Sequence, residues 1–315
     1  MSTFVAKQIE RFGARYATYR GDWERAERLE IVPEFPLYVM LEQTFKCNLR
    51  CPTCILGDTK QAKTWAAPYM KRPLYDRIIA ECGAEGLPSI AMHSTDEPLL
   101  VKDIVSRVEA ARDAGIMDII LSTNGHLLTR QKIADLICAG LTHLLFSIDA
   151  ATEATYAKVR PGGGTLADVI RIIETVNELR GNSPVPRTRA SFVVSSLNQH
   201  ERRLFQQAFE SMVDYIDFQT FAGFEENVSF APIGTPFSDP TNFQCNSPFQ
   251  RVVIRGNGDV LPCCSSYGYQ LPLGNLKNGT IREIWTSHRA KQLREDFRAN
   301  RYGEACTKCI KARAA

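Results

Sequence analysis

Six short apolar runs recur along the first two thirds of the chain, and the stretches between them carry helical periodicity. The runs are Leu37 to Leu41, Ser89 to Met92, Met117 to Leu121, Leu144 to Ile148, Ala190 to Val194 and Tyr215 to Gln219. Between the first two, Leu74, Ile78, Ile79 and Cys82 share one helical face; after the second, Ile104, Val105, Val108 and Ala111 do the same. Thr165-Leu166-Ala167-Asp168 has the form of a capping box opening a helix with Leu166, Val169, Ile170, Ile173 and Val176 on its apolar side. Strand–helix alternation of this kind predicts right-handed βαβ units around a parallel sheet, an α/β fold. Periodicity alone permits either a barrel or a doubly wound sheet, and both place ligand-binding loops at the carboxyl ends of the strands.

The loop after the first run reads Phe45-Lys46-Cys47-Asn48-Leu49-Arg50-Cys51-Pro52-Thr53-Cys54. Three thiolates with no fourth ligand nearby suit a four-iron cluster with one iron left open, since such clusters are held by cysteine. Structural zinc, the competing reading, is almost always four-coordinate. A second set, Cys245, Cys263, Cys264, Cys306 and Cys309, lies near the C-terminus. Between its members run a strand, Gln250 to Ile254, a hairpin-type turn, Gly256-Asn257-Gly258-Asp259, and a helix expected from Ile281 to Phe297. Cys245, Cys263, Cys306 and Cys309 could together supply four thiolates to one metal group. A zinc ribbon with the same C-x2-C clip remains the alternative here. Cys264 is the remainder: a substitute ligand, a small packed side chain, or a hydrogen donor to substrate. Cys82 and Cys138 are expected as core thiols, and His93 closes the second strand.

The C-x3-C-x2-C spacing resembles the signature of the radical S-adenosylmethionine (SAM) enzymes. That resemblance implies a partial (β/α)6 barrel, similar to part of a TIM barrel. It also implies that SAM binds the open iron and is reductively cleaved to a 5′-deoxyadenosyl radical. Three later segments fall in the family's order after successive strands. Thr95-Asp96-Glu97-Pro98 stands where the family usually carries Gly-Gly-Glu-Pro, so Glu97 matches and Asp96 departs from it; Thr95, Asp96 and Glu97 are expected at the SAM ammonium. Thr123 and Asn124, in Ser122-Thr123-Asn124-Gly125, are implied near the ribose. Ser147 and Arg160 are implied at the methionyl carboxylate, where a guanidinium binds bidentately. Thr53, before the last cysteine, stands where the family commonly has an aromatic ring beside the adenine.

The pattern Cys245-x12-Gly258-x4-Cys263 closed by Cys306-x2-Cys309 resembles the SPASM/twitch auxiliary domain, its length favouring the one-cluster twitch form. The implied cofactors are SAM and two [4Fe-4S] clusters. The implied layout is an N-terminal helical extension over 1–34, read as a solvated lead-in, a core over 35–222 and a small α+β auxiliary domain over 223–315, with a Gly-, Pro- and Asn-rich loop from Gly223 to Asn242 before the second cysteine set.

With 44% hydrophobic residues and a net charge of +3, composition points to an ordinary soluble chain rather than a nucleic-acid binder. No stretch approaches 18 uninterrupted apolar residues, and the N-terminus lacks a signal-peptide core, so no membrane partner and a cytoplasmic location are expected. The cysteine spacing is similar to that of twitch aminocyclitol dehydrogenases. The leading expectation is therefore oxidation of a polar small molecule such as an amino sugar or cyclitol, the auxiliary cluster taking the electron and flavodoxin or ferredoxin supplying the reductant. The alternatives are redox-neutral epimerisation with Cys264 as hydrogen donor, and peptide (RiPP) maturation.

Overall fold

The computed structural model describes residues 3–220 and 245–314; the loop expected from Gly223 to Asn242 lies outside the described residues. Six parallel strands follow in chain order: β1 (Tyr38–Glu42), β2 (Ser89–Ala91), β3 (Asp118–Thr123), β4 (His143–Ser147), β5 (Arg187–Val194) and β6 (Tyr215–Thr220). Each pairs with its sequence neighbour. Beyond β1 the sheet continues into the C-terminal segment, with β7 (Arg251–Arg255) parallel to β1, then β8 (Asp259–Leu261) and β9 (Gly274–Asn275) antiparallel. β6 and β9 are its two edges, so the sheet is a partial barrel that does not close on itself.

Helices Arg72–Ala84, Ile104–Asp113, Arg130–Ala139, Leu166–Arg180 and Arg202–Phe209 cover the outer face. Their apolar sides and the outward residues of β1 to β5 make one continuous core, including Val39, Leu41, Ile90, Ile119, Leu121, Leu144 and Phe146. The Thr165–Asp168 capping box forms as its spacing predicts. The hairpin turn is confirmed too, with Gly258 at φ +88°, a left-handed conformation that glycine adopts without strain.

Three expectations are corrected. The helix expected from Ile281 to Phe297 is two, Ile281–Trp285 and His288–Arg298, because the Ser287 side chain accepts from the Ala290 amide and starts a second N-terminus. Cys138 is exposed, since Ile133, Leu136 and Ala139 define the buried side of its helix; Cys82 is buried as expected. Nor is the N-terminal extension a solvated lead-in. α1 (Thr3–Phe12) and α2 (Ala14–Glu27) lie under the amino end of the barrel, and Tyr16, Tyr19 and Ala26 are buried there. An aromatic stripe at helical spacing, masked by the surrounding charge, drives that docking.

Candidate active site

Side chains alternate across each strand, and the inward set at or just past the carboxyl ends includes His93, Ser122, Ser147, Val193 and Gln219. With the β1 loop they border a cavity of about 390 Å³. The three cysteines of that loop, Cys47, Cys51 and Cys54, line it together with Thr53, Thr95, Asp96, Glu97, Thr123, Asn124, Ser147, Arg160 and Cys264. Every core-domain site residue singled out from the sequence therefore faces one space.

The cysteine loop is closed by backbone. The Cys54 amide donates to the Cys51 carbonyl at 3.0 Å and the Gly57 amide to the Cys54 carbonyl at 2.8 Å. A Cβ on Gly57 would sit 2.1 Å from the Cys51 oxygen, so only glycine fits there. On the far side the Arg50 amide donates to Pro161, and Gly163 lies against Leu49 so closely that a Cβ would meet its Cδ2 at 2.3 Å. The glycine run after Arg160 is thus the seat for the cysteine loop.

Both carboxylates of the Thr95–Pro98 segment are engaged within the protein. Asp96 accepts from the Gln43, Thr44 and Ser94 amides at 2.9–3.0 Å, and burial pushes its carboxyl up to about 7. Glu97 accepts from the Thr123 hydroxyl at 2.8 Å and the amides of Asn124 and Leu99. These residues brace the loops after β1, β2 and β3 against one another. Asn124 likewise donates to Asn48 at 2.8 Å and approaches the Cys47 sulfur at 3.8 Å.

Arg160 is held by Asp149, whose carboxylate lies 2.5 Å away and also accepts from the Val193 amide at 2.7 Å. Asp149 adopts φ +63°, uncommon for a residue other than glycine. The guanidinium reaches the Cys51 sulfur at 3.8 Å, and its Nε is buried without a partner. His93 accepts the Ser122 amide on Nδ1 at 3.0 Å, and burial lowers its pKa to about 3. The neutral ring therefore carries its proton on Nε2. Sequence reading left Asp149 without a role: the signal was present, an acid two residues past Ser147, but its partner lies eleven residues on.

A smaller chamber of about 150 Å³ is lined by Cys245, Cys263, Cys306 and Cys309. A Cβ on Gly268 would meet the Cys263 sulfur at 2.8 Å, so glycine lets the following turn wrap this thiol. Cys264, exposed, and Ser265 border both the chamber and the mouth cavity. Tyr269 ties the two halves, donating to Glu42 at 2.6 Å with its oxygen 2.6 Å from the Thr95 hydroxyl.

Do these residues fit iron–sulfur clusters and SAM? Burial raises the Cys47 and Cys51 thiols and takes Cys54 to about 11, with Cys51 opposing ionisation of Cys47, and both opposing that of Cys54. Cys306 is pushed up to about 12 by burial and by Cys245 and Cys309, and Cys263 is raised by burial and its cysteine neighbours. Clustered thiols that resist ionisation alone become thiolates beside iron, whose charge inverts the balance. The unpartnered Arg160 Nε beside Cys51 suits an anionic group such as a carboxylate. The residues present fit both groups.

Comparison with known proteins agrees. A family model described as the radical SAM superfamily matches residues 41–202, and one described as an iron–sulfur cluster-binding domain (SPASM) matches residues 245–310. A GTP 3',8-cyclase from Synechococcus sp. is 30% identical over 149 residues, 44% of this chain and 41% of that protein. A PqqA peptide cyclase from Rhodopseudomonas palustris is 33% identical over 128 residues, 41% of this chain and 32% of that protein. The chain thus spans well under half the length of these relatives. Among solved structures, anSMEcpe with bound AdoMet aligns with a TM-score of 0.64 at 17% identity, covering 89% of this chain and 88% of that one. BtrN in complex with AdoMet and 2-DOIA gives 0.54 at 17% identity over 82% of this chain and 86% of that one. Streptococcus suis SuiB bound to the precursor peptide SuiA gives 0.60 at 14% identity over 95% and 74%. At such identities the likeness is one of fold.

Proposed function

Because the chain belongs to the radical SAM superfamily and carries a SPASM iron–sulfur domain, we propose that it is an oxidoreductase that dehydrogenates a polar small molecule of the amino sugar or cyclitol class. One observation carries the reading: Cys264 and Ser265 border both cavities, so the two cysteine sets share a wall of the substrate space. When bound, a [4Fe-4S] cluster with SAM supplies a 5′-deoxyadenosyl radical that takes a substrate hydrogen, and an auxiliary cluster is an electron sink.

The chain's own residues hold and orient. Cys47, Cys51 and Cys54 would ligate the first cluster, and Cys245, Cys263, Cys306 and Cys309 the second. Arg160, fixed by Asp149, offers its open Nε to the SAM carboxylate. Asp96 and Glu97 set the loop carbonyls and the Thr123–Asn124 turn. His93 offers Nε2–H, while Ser122, Ser147, Thr95 and Gln219 add short polar groups along the same wall. A lining of this kind suits a substrate with several hydroxyls. Anaerobically reconstituted enzyme, given SAM, reductant and a panel of amino sugars, cyclitols and peptides, should yield a carbonyl product lighter by two hydrogens, with one 5′-deoxyadenosine per product. Turnover of peptides alone would overturn the substrate class in favour of maturation.

The exposed Cys264 thiol at the cavity wall supports a second reading, epimerisation with hydrogen return from sulfur. Under it, Cys264→Ala abolishes formation of an isomer of unchanged mass; under the leading reading the same variant keeps dehydrogenase turnover.

A further inference from the structure

The other end of the barrel holds a second cavity, of about 420 Å³, between the strand starts and the N-terminal helices. Four guanidiniums line it: Arg20 from α2, Arg187 and Arg189 from β5, and Arg251 from β7. Among the described residues, Arg20, Arg187 and Arg251 form no ion pair, and Arg189 pairs with Asp217 at 3.2 Å. Aromatic faces hold them in place: Arg187 lies 4.2 Å above the Tyr215 ring, and Arg20 and Arg251 share Trp23 at 5.6 and 5.3 Å. Contact with the ring faces leaves guanidinium N–H groups able to meet an acceptor, although Arg251 already donates one to Gln250 at 3.0 Å, and Arg20 and Arg189 are hydrogen-bonded to Tyr19 and Tyr215 respectively. The Nε atoms of Arg189 and Arg251 are buried with no hydrogen-bond partner, a condition that carries a desolvation cost unless an acceptor arrives.

Local acids balance only part of this charge, two carboxyls against four guanidiniums. Asp217 pairs with Arg189. Asp118, which lines the cavity and attracts Arg20 and Arg187, also accepts from the Tyr16 hydroxyl at 3.1 Å and Gln8 at 3.4 Å. His143, also in the lining, is held neutral by burial and by Arg187, Arg189 and Arg20, its pKa lowered to about 3. The waist between floor and mouth is apolar, with Met40, Ala91, Ile120 and Val253 packed together; of the four cations, Arg189 is the one whose charge is felt by His93 at the mouth.

We propose that the floor cavity is a binding site for a phosphate-type oxyanion, free or carried on a small metabolite, separate from the cysteine-lined mouth. Four guanidiniums lining one aromatic-walled space, two of them with an unpartnered Nε, suit the planar donor fork that binds phosphate oxygens. The proposal stands apart from the reaction assigned to the mouth. Holoenzyme is titrated calorimetrically under anaerobic conditions with inorganic phosphate and with ribose 5-phosphate, at ionic strength fixed with chloride. Saturable binding is expected for at least one of them, weakened tenfold or more in Arg187→Gln/Arg251→Gln, with SAM affinity unchanged within twofold. Tighter binding of the ester identifies a metabolite-borne phosphate, and equal or tighter binding of phosphate identifies the free ion. Absence of saturable binding to the wild-type protein, or equal affinity in wild type and variant, overturns the proposal. If the double variant does not fold, Arg20→Gln reads the same contrast: a threefold or greater loss supports the site, and unchanged affinity rejects it.

Discussion

The mouth and the floor of this barrel are built from the same strands yet solve opposite electrostatic problems. Successive inward positions run Tyr38, Met40, Glu42 on β1, Asp118, Ile120, Ser122 on β3 and His143, Leu145, Ser147 on β4. At the mouth, buried carboxylates are saturated by backbone amides and one arginine, and the remaining lining is short and polar. At the floor, arginines outnumber the acids, and Arg20, Arg187 and Arg251 lie against aromatic rings while Arg189 pairs with Asp217. The contrast teaches that a mouth preorganised by internal hydrogen bonds costs little reorganisation when it receives a cofactor. A floor left with unanswered cations is instead completed by what it binds.

The sharpest way to break the comparison is at the cysteines. Cys51→Ala should abolish 5′-deoxyadenosine formation and lower bound iron by about four per chain, as loss of one cubane requires, while leaving oxyanion binding at the floor intact. Iron assay and chromatography of the anaerobic reaction check this. Next comes Asp149→Asn, which leaves the Arg160 guanidinium buried without its carboxylate. We expect a stability loss of about 3 kcal/mol with SAM affinity weakened about 10–100-fold, as for positioning partners of ligating groups, measured by denaturant titration and equilibrium binding.

The floor has its own pH signature. Burial raises the Asp118 carboxyl from 3.8 to about 6, so the fold favours the protonated form. That contribution is complete below the unfolded value and disappears as pH rises through about 6. A shift of this size corresponds to about 3 kcal/mol. Asp118→Asn, which does not ionise, should therefore melt above wild type at pH 8, with the gap narrowing as pH falls to 5.5. A pH-independent gap would place the burden elsewhere. The smallest effect belongs to Tyr269→Phe, which removes the hydroxyl between Glu42 and Thr95. It should cost about 1–2 kcal/mol, read from the denaturation midpoint, and change SAM affinity less than Asp149→Asn does.

Much of the mouth was legible in the chain because its determinants are local. Cysteine spacing, strand ends and the turn segments after them are properties of a few consecutive residues, and each segment falls at a strand's carboxyl end. The bracing was less legible. Asp96, a departure from the glycine usual in look-alike enzymes, collects three amides from two loops, and nothing in its neighbours announces Gln43 or Thr44 as partners. Gly57 and Gly268 stand where a Cβ would strike a backbone oxygen or the Cys263 sulfur, which is known only once the loops are folded together. The floor was missed altogether. Arg20, Arg187, Arg189 and Arg251 are spread over more than 230 positions, and in α2 the charge pattern concealed the Tyr16–Tyr19–Trp23 stripe that docks beneath the sheet.

Order along the chain was enough to set strand–helix alternation, the parallel sheet, the family and the two cysteine sets, because periodicity and ligand spacing are short-range quantities that survive without coordinates. Tertiary folding alone decided that the C-terminal strand β7 would pair with β1, that Cys264 would border two cavities, and that four distant arginines would face one another. Those outcomes depend on register and on the height of each inward side chain in the barrel, which are set by long-range pairing and packing rather than by any local run of residues.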